Sequence, residues 1–223
     1  MNLKHKKRQE IFKQFIYNEK LRFNEIEKAT KIRSNELAYF LNKLVEENIL
    51  LKQGSYYKLS KNAEKLIPLF GAEISPLPVI LVACIKENKI LLWKRKKRPY
   101  KNLWSLIGGR ILLNETLQQA SLRVLKEKTF IDSKFISINA CINEKVEENG
   151  EIKHAIILFL TKVQPLTGIK EKPAVKWFNL SKLKQKSIIP SDYWLIKNKL
   201  NSKVSIPEET LKEKNGRLSI EFL

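Results

Sequence analysis

The sequence predicts an α+β chain in two parts, and three observations predict it. Residues 7–47 carry apolar side chains at helical spacing in three short runs, and residues 49–59 then read as a strand, a glycine-containing turn and a strand. From residue 79 the pattern changes to continuous apolar runs, 79–85 and 90–93, separated by Glu87-Asn88-Lys89 as a turn. Between the two lies a stretch with Pro76 and Pro78, whose fixed φ and extended preceding residues make a stiff connection. The expected division is residues 1–71, a linker at 72–78 and a second domain at 79–223. Of the 223 residues 43% are hydrophobic, enough for a buried core.

In the first part, Ile11, Phe12, Phe15 and Ile16 set the apolar face of a helix over residues 7–18. A second short helix starts at residues 23–24 with Asn24 as its cap and Ile26 and Ala29 facing inward. Residues 30–34 are a turn. Ser34 then caps a third helix over 35–47 whose stripe is Leu37, Leu41, Leu44 and Val45. Tyr39 and Phe40 are adjacent, so one of them faces away from the core. A hairpin follows at 49–52 and 56–59 around Gly54, and Ser60 caps a fourth helix to about residue 69. Three helices and a hairpin in this order resemble a winged helix-turn-helix. That resemblance implies a third helix in the major groove and a hairpin against the phosphate backbone of double-stranded DNA. The residues it implies for DNA contact are Arg33, Ser34, Asn35, Tyr39 and Lys43 on the turn and third helix. Lys52, Gln53, Tyr56 and Lys58 come from the hairpin, and Lys6, Lys7 and Arg8 from the basic N-terminal segment. It also implies a homodimer, because a palindromic site needs two recognition helices; the same fold serves elsewhere as a protein-interaction module.

Charge points the same way. The chain carries a formal charge of +20, with 15 basic against 8 acidic residues in 1–71 and 28 against 15 in the remainder. Both parts are basic, which favours a polyanionic partner, nucleic acid first. No run of 18 apolar residues is present, and the basic N-terminus lacks an apolar segment, so neither a membrane span nor a signal peptide is expected and the location is read as cytoplasmic. Cys84 and Cys141 lie in apolar strand-like runs and read as buried free thiols. His5 and His154 are isolated from any metal-binding spacing.

In the second part, Gly109, Glu115, Arg123, Leu125, Glu127 and Ile131 stand at fixed spacing across a predicted helix. The pattern resembles the Nudix box: glycine, five residues, glutamate, seven residues, Arg-Glu, an aliphatic, any residue, Glu-Glu, any residue, glycine, aliphatic. Val124, Lys128 and Phe130 depart from it. The flanks extend the resemblance: Trp104-Ser-Leu-Ile-Gly108-Gly109 before the box, with Ile107 in place of proline; Trp177-Phe178-Asn179-Leu180 after it; and Ile189-Pro190-Ser191-Asp192 opening a last large helix. Together these cover roughly residues 78 to 200 and imply a Nudix-like α/β/α sandwich. They also imply a structural role for Gly109, which lets the loop turn into the helix, and for Glu115 and Arg123, which brace loop against helix.

The resemblance implies Mg²⁺ held by carboxylates at positions 124, 127 and 128, which share a helix face. Here those positions hold Val124, Glu127 and Lys128. At ~4 Å and an effective dielectric of about 20, a lysine ammonium repels a dication by several kcal/mol. The sequence therefore leans away from catalysis, with Arg123 and Glu127 as remnants and Lys128 as a tethered cation. Glu127 is a metal ligand, and Mg²⁺ a cofactor, only if the site is active. Glu144, Glu147 and Glu148 could supply further acids but read as a hairpin tip beside Asn149-Gly150. The expected ligand pocket comprises Arg95, Arg98, Gly108, Gly109, Arg110, Glu115, Arg123, Glu127 and Lys128. Arg95 and Arg98 belong to the basic run at 94–98. The leading expectation is a DNA-binding transcriptional regulator that senses a nucleotide or nucleotide sugar. The alternatives are an active Nudix hydrolase of nucleoside diphosphate-linked compounds and a non-catalytic nucleic-acid-associated scaffold.

Overall fold

The computed structural model describes residues 5–70, 75–97, 100–166, 171–214 and 217–222. The chain forms two compact units, residues 1–74 and 75–223.

The first unit runs α1 (Lys6–Lys13), β1 (Leu21–Arg22), α2 (Phe23–Thr30), α3 (Ser34–Glu46), β2 (Leu50–Gln53), β3 (Tyr56–Leu59) and the single turn α4 (Lys61–Glu64). Its strands form a sheet in the order β1-β3-β2. Ile11, Phe12, Ile26, Leu37, Leu41, Leu44 and Leu50 are fully buried in one core, as the helical spacing requires. Several local expectations are corrected. Helix α1 stops at Lys13, because residues 14–16 tighten into i→i−3 hydrogen bonds onto Ile11, Phe12 and Lys13. Asn24 lies inside α2; the cap position is Arg22, whose backbone N–H donates to the Glu25 carboxylate at 2.6 Å. Ala29 is exposed. Ser34 begins α3 without capping it, and its hydroxyl donates to Glu27 of α2 instead. Ser60 does cap α4, accepting from the Ala63 N–H at 3.2 Å, but that helix is short. Pro68, with no N–H to donate, sits in a separate 3₁₀ turn (Ile67–Leu69). Of the adjacent pair, Phe40 is buried and Tyr39 is 58% exposed.

The second unit contains β4 (Leu77–Lys86), β5 (Lys89–Lys94), β6 (Trp104–Ser105), β7 (Ile107–Arg110), α5 (Leu117–Thr129), β8 (Ser133–Glu148), β9 (Glu151–Pro165), β10 (Val175–Asn179), α6 (Pro190–Lys199), β11 (Glu209–Lys214) and β12 (Arg217–Phe222). The main sheet is mixed, ordered β10-β5-β4-β9-β8, with β6 beside β5 and β7 beside β4; β4 and β9 are parallel. Leu77 and Pro78 are already strand residues, opposite Ile156 and Ile157.

The continuous apolar run in β4 has a direct structural cause. Ile80, Val82 and Cys84 point to one face, where α5 packs with Leu117, Ala120, Val124 and Leu125. Leu81 and Ala83 point to the other, where α6 packs with Leu195 and Ile196. A strand with helices on both faces buries both sets of its alternating side chains. The outcome is a sheet between two helical layers. The β8–β9 hairpin closes through Asn149 and Gly150, both at positive φ (56° and 84°), as a tight two-residue hairpin turn requires. Glu147 and Glu148 do stand at that tip, paired with Ile152 and Glu151. One expectation fails here. Cys141 is exposed, because alternation along β8 turns it outward; Cys84 is buried and both thiols are free. Ahead of β11 the Val204 N–H bonds Ile138 O at 2.9 Å and the Glu208 carboxylate accepts the Leu117 N–H at 2.9 Å, tying this segment to β8 and α5.

Candidate active site

The loop before α5 and the helix itself are clamped by one arginine. Arg123 donates from Nη2 to Glu115 Oε1 at 2.5 Å and from Nε to Glu115 Oε2 at 2.7 Å, a two-point fit of guanidinium to carboxylate. It also donates to Arg110 O at 2.9 Å and reaches both oxygens of Glu127 at 3.2 Å. Glu115 returns a second link, accepting from the Leu112 N–H at 2.6 Å. The Arg123 hydrogen bond holds the Glu115 carboxyl below its usual range, and Glu115 in turn raises Arg123. Glu115 and Arg123 brace the loop, as the resemblance implies, and they do not line the main cleft. Thr116 caps α5, its hydroxyl accepting from the Gln119 N–H at 3.1 Å.

Gly109 acts differently from the expected turn-former. It sits in β7, and a Cβ there would lie 2.6 Å from Val124 Cγ2 and 3.1 Å from Val124 Cγ1. Its missing side chain is what lets α5 approach the sheet. A Cβ on Gly108 would meet Leu81 Cδ2 at 2.9 Å. At the far end of α5, Phe130 takes the left-handed conformation (φ 63°) at the position where the box has glycine, so the backbone frame persists with a different side chain.

Beside this frame opens a cleft of about 570 Å³. Lys128, Arg95 and Arg110 supply its cations, and Gly108 and Gly109 its backbone edge. Its apolar lining includes Leu77, Val79, Leu81, Ile156, Leu158 and Ile189. Glu144 and Asp192 are its carboxylates among the described lining residues, with Tyr100 and His154 alongside. Lys128 Nζ donates to Gly108 O and lies 5.8 Å from the centroid of the Trp93 ring. Burial lowers its pKa, and the Arg95 charge lowers it further. Asp192, only 4% exposed at the start of α6, accepts the Leu106 N–H at 2.7 Å. Burial pushes its carboxyl up to about 7; the Leu106 N–H opposes the rise, Glu144 adds to it and Arg95 opposes it. The Tyr100 hydroxyl is also raised, by burial and then by Glu144, with Arg95 opposing. Arg95 thus acts electrostatically on both Lys128 and the acidic side of the cleft.

Of the expected pocket residues, the fold brings together Arg95, Gly108, Gly109, Arg110 and Lys128. Arg98 lies outside the described residues. Glu127 faces Arg123 and a neighbouring depression with Phe130 and Lys172. Asp192, Tyr100 and His154 are additions that the sequence pattern did not single out, and Glu144 lines the cleft well back from the hairpin tip. The metal group implied by the box does not fit the residues present. Val124 is 1% exposed and packed on Gly109, Glu127 is paired with Arg123, and the third position holds the Lys128 ammonium against Gly108 O. Among the described residues no three His, Cys, Asp or Glu side chains gather where they could hold a metal ion.

In the first unit, Arg33, Asn35, Tyr39 and Lys52 are exposed, and Lys58 is half-buried. Lys7 pairs with Glu36 at 2.5 Å and Lys43 with Glu46 at 2.7 Å. The Tyr56 hydroxyl accepts from Arg22 at 2.6 Å, with Lys20 and Arg22 over its ring. Arg8 is corrected as a surface contact. It is 7% exposed, and its Nη2 lies 2.7 Å from Glu47 in an ion pair that is not aligned as a hydrogen bond.

A sheet between helical layers and a glycine-to-helix loop clamped by Glu115 and Arg123 agree with the resemblance that the sequence carries. Residues 76–198, more than half of the chain, match the NUDIX domain, and the chain belongs to that family. It is 43% identical over 53 residues to the ADP-ribose pyrophosphatase of Methanocaldococcus jannaschii, a match spanning 24% of this chain and 31% of that protein. Among solved structures, a NUDIX hydrolase from Nitrosomonas europaea aligns at a TM-score of 0.46 and 20% identity, covering 59% of this chain and 76% of that one. A MutT NUDIX hydrolase from Burkholderia pseudomallei aligns at 0.45 and 23%, covering 55% and 97%. Family membership and the pyrophosphatase match correct the leaning away from catalysis drawn from the altered box: the chain stands among enzymes. No helix among the described residues is long and apolar enough to cross a membrane.

Proposed function

We propose that the chain is a NUDIX hydrolase that cleaves a nucleoside diphosphate linked to a second group, with a nucleotide sugar such as ADP-ribose as the representative substrate. The observation that carries this reading is the cleft, whose lining joins the cations Lys128, Arg95 and Arg110, the carboxylates Glu144 and Asp192, and a set of apolar side chains. Lys128, Arg95 and Arg110 meet the diphosphate, whose charge needs fixed positive partners in a partly desolvated site. The apolar lining receives the less polar part of the substrate. Water adds across the P–O–P linkage. Its oxygen bonds to one phosphorus, the bridging oxygen leaves with the other phosphate, and the proton passes to a carboxylate and on to solvent. We assign that transfer to the cleft carboxylates Asp192 and Glu144; Asp192, whose carboxyl burial pushes up to about 7, suits a base working near neutral pH. The relative's action on ADP-ribose supports this substrate class. The test is chromatography of the purified full chain incubated with ADP-ribose and nucleoside diphosphate sugars. Two monophosphate products are expected from at least one; an unchanged panel overturns the reading.

For residues 1–74 we propose a winged helix-turn-helix that binds double-stranded DNA, with a homodimer presenting two copies of α3. The order of helices and hairpin supports it, as do Arg33, Asn35 and Tyr39 exposed along the first turns of α3 and Lys52 exposed on the hairpin. In a gel-shift titration Arg33→Ala is expected to weaken binding about tenfold or less, in line with loss of one charged contact. Duplex binding that is absent in the unaltered chain at low salt would contradict this part.

A further inference from the structure

Lys128 is the one cleft residue whose charge is opposite to what the box spacing calls for. It is not a loose surface lysine. It is part-buried, its Nζ is seated on the Gly108 carbonyl, and the Trp93 ring lies at 5.8 Å. Its place on the last turn of α5 is fixed by the Arg123 clamp on one side and by Val124 packed onto Gly109 on the other. The carbonyl that holds it is the backbone edge of the cleft, and Arg95 lines the same wall. Glu127, its neighbour in sequence, is turned to Arg123 and is not among the residues that line the cleft.

We propose that the Lys128 ammonium, held on Gly108 O, is the built-in positive charge that meets the substrate's diphosphate, so that the chain binds its substrate without a divalent cation. The inference rests on the hydrolase reading for the identity of the substrate, but it concerns binding, and the two fail separately. A lysine covalently fixed at this point delivers one positive charge that no chelator removes. Arg95 and Arg110 add two more from β5's end and from β7, and a diphosphate bridging these groups is neutralised by protein side chains. The same ammonium disfavours a dication at that point, so added metal does not help.

The test is calorimetric titration of the full chain with inorganic pyrophosphate and with ADP-ribose, in EDTA and again with Mg²⁺. Binding is expected in EDTA, with affinity changed less than about threefold by Mg²⁺. Lys128→Met is expected to weaken binding in EDTA tenfold or more, and Lys128→Arg to keep most of it, which separates charge from fold damage. Lys128→Glu is expected to make binding depend on Mg²⁺. Pyrophosphate binding that appears only with Mg²⁺ in the unaltered chain overturns the proposal, as does a Lys128→Met variant that binds normally in EDTA. Binding in EDTA without cleavage of ADP-ribose under any condition would count against the hydrolase and in favour of this inference.

Discussion

Gly109 and Val124 form a pair in which each residue explains the other. The glycine leaves the space that the valine fills, and the valine fills what the box gives to a carboxylate. Gly109→Ala is therefore expected to destabilise the second unit by about 1–3 kcal/mol, since Val124 is stiff at χ1 and buried and cannot step aside. Urea unfolding of the two proteins measures it; equal midpoints would show that the contact is relaxed. The same packing changes what a restored box would do. Replacing Val124 and Lys128 together by glutamate regains the carboxylates in sequence, but a glutamate at 124 must displace the Gly109 contact, so Lys128→Glu alone is the informative variant. Asp192 gives a pH prediction. Its native pKa of about 7 lies above the usual carboxylate range, so between about pH 4 and 7 the native state holds a proton that the unfolded chain has lost. Stability should fall as pH rises through that window, by on the order of a few kcal/mol, and level off above it. Asp192→Asn, whose amide oxygen can still accept the Leu106 N–H, should flatten the slope. Unfolding midpoints at pH 5 and pH 8 that move equally in both proteins would remove Asp192 as the source.

At the level of elements, the clamp between the loop and α5 is the part most legible in the sequence. The spacing of Glu115, Arg123 and Glu127 puts two of them one helical turn apart and the third at the end of a short loop, so local geometry nearly dictates the contact. Glu115→Ala should cost about 1.5–3 kcal/mol, because it leaves the Leu112 N–H and part of the Arg123 guanidinium without their partner. The Glu115 pKa is lowered, so its contribution is present above the ordinary carboxylate pKa and is lost as pH falls through the native value. A thermal-melt difference between wild type and variant that stays constant from pH 7 down to pH 3 would contradict that assignment. Of the two cleft carboxylates, the sequence offers Glu144 as a candidate acid and does not single out Asp192. Glu144 comes from β8, His154 from β9 and Asp192 from the start of α6, and only the parallel pairing of β4 with β9 and the packing of α6 under the sheet bring them to Lys128. The signal for Asp192 was present but weak: an acid in the first turn of a proline-initiated helix reads as a dipole partner before it reads as a site residue. Helix ends misled in a similar way. Ser34 has the composition of a cap and spends its hydroxyl on Glu27, a tertiary contact that spacing along the chain does not reveal.

At the scale of the whole molecule, the chain has two units with separate cores. The high positive charge covers both, and charge alone does not divide it between a nucleic acid and a diphosphate; Lys128, Arg95 and Arg110 lining one cleft are the basis for the proposed diphosphate contact. Arg8 illustrates the converse. It belongs to the basic N-terminal segment in sequence but is spent on Glu47, so Arg8→Ala should lower the melting temperature of the first unit while leaving any DNA affinity of the folded protein within about twofold. A loss of DNA binding at unchanged melting temperature would return Arg8 to the surface. The fold class of the second unit is readable from periodicity because burial on both faces of β4 leaves an unbroken apolar run; the make-up of the cleft is not, because β4, β6, β8, β9 and α6 contribute to it beside the box residues. The measurement that bears most directly on the hydrolase is incubation of the full chain with ADP-ribose in ¹⁸O-labelled water, with and without EDTA, followed by mass analysis of the products. Two monophosphates are predicted, one of them carrying a single ¹⁸O on phosphorus, with the yield maintained in EDTA and reduced at least tenfold in Asp192→Asn or Glu144→Gln. Intact ADP-ribose under both conditions, with no labelled phosphate, would contradict it.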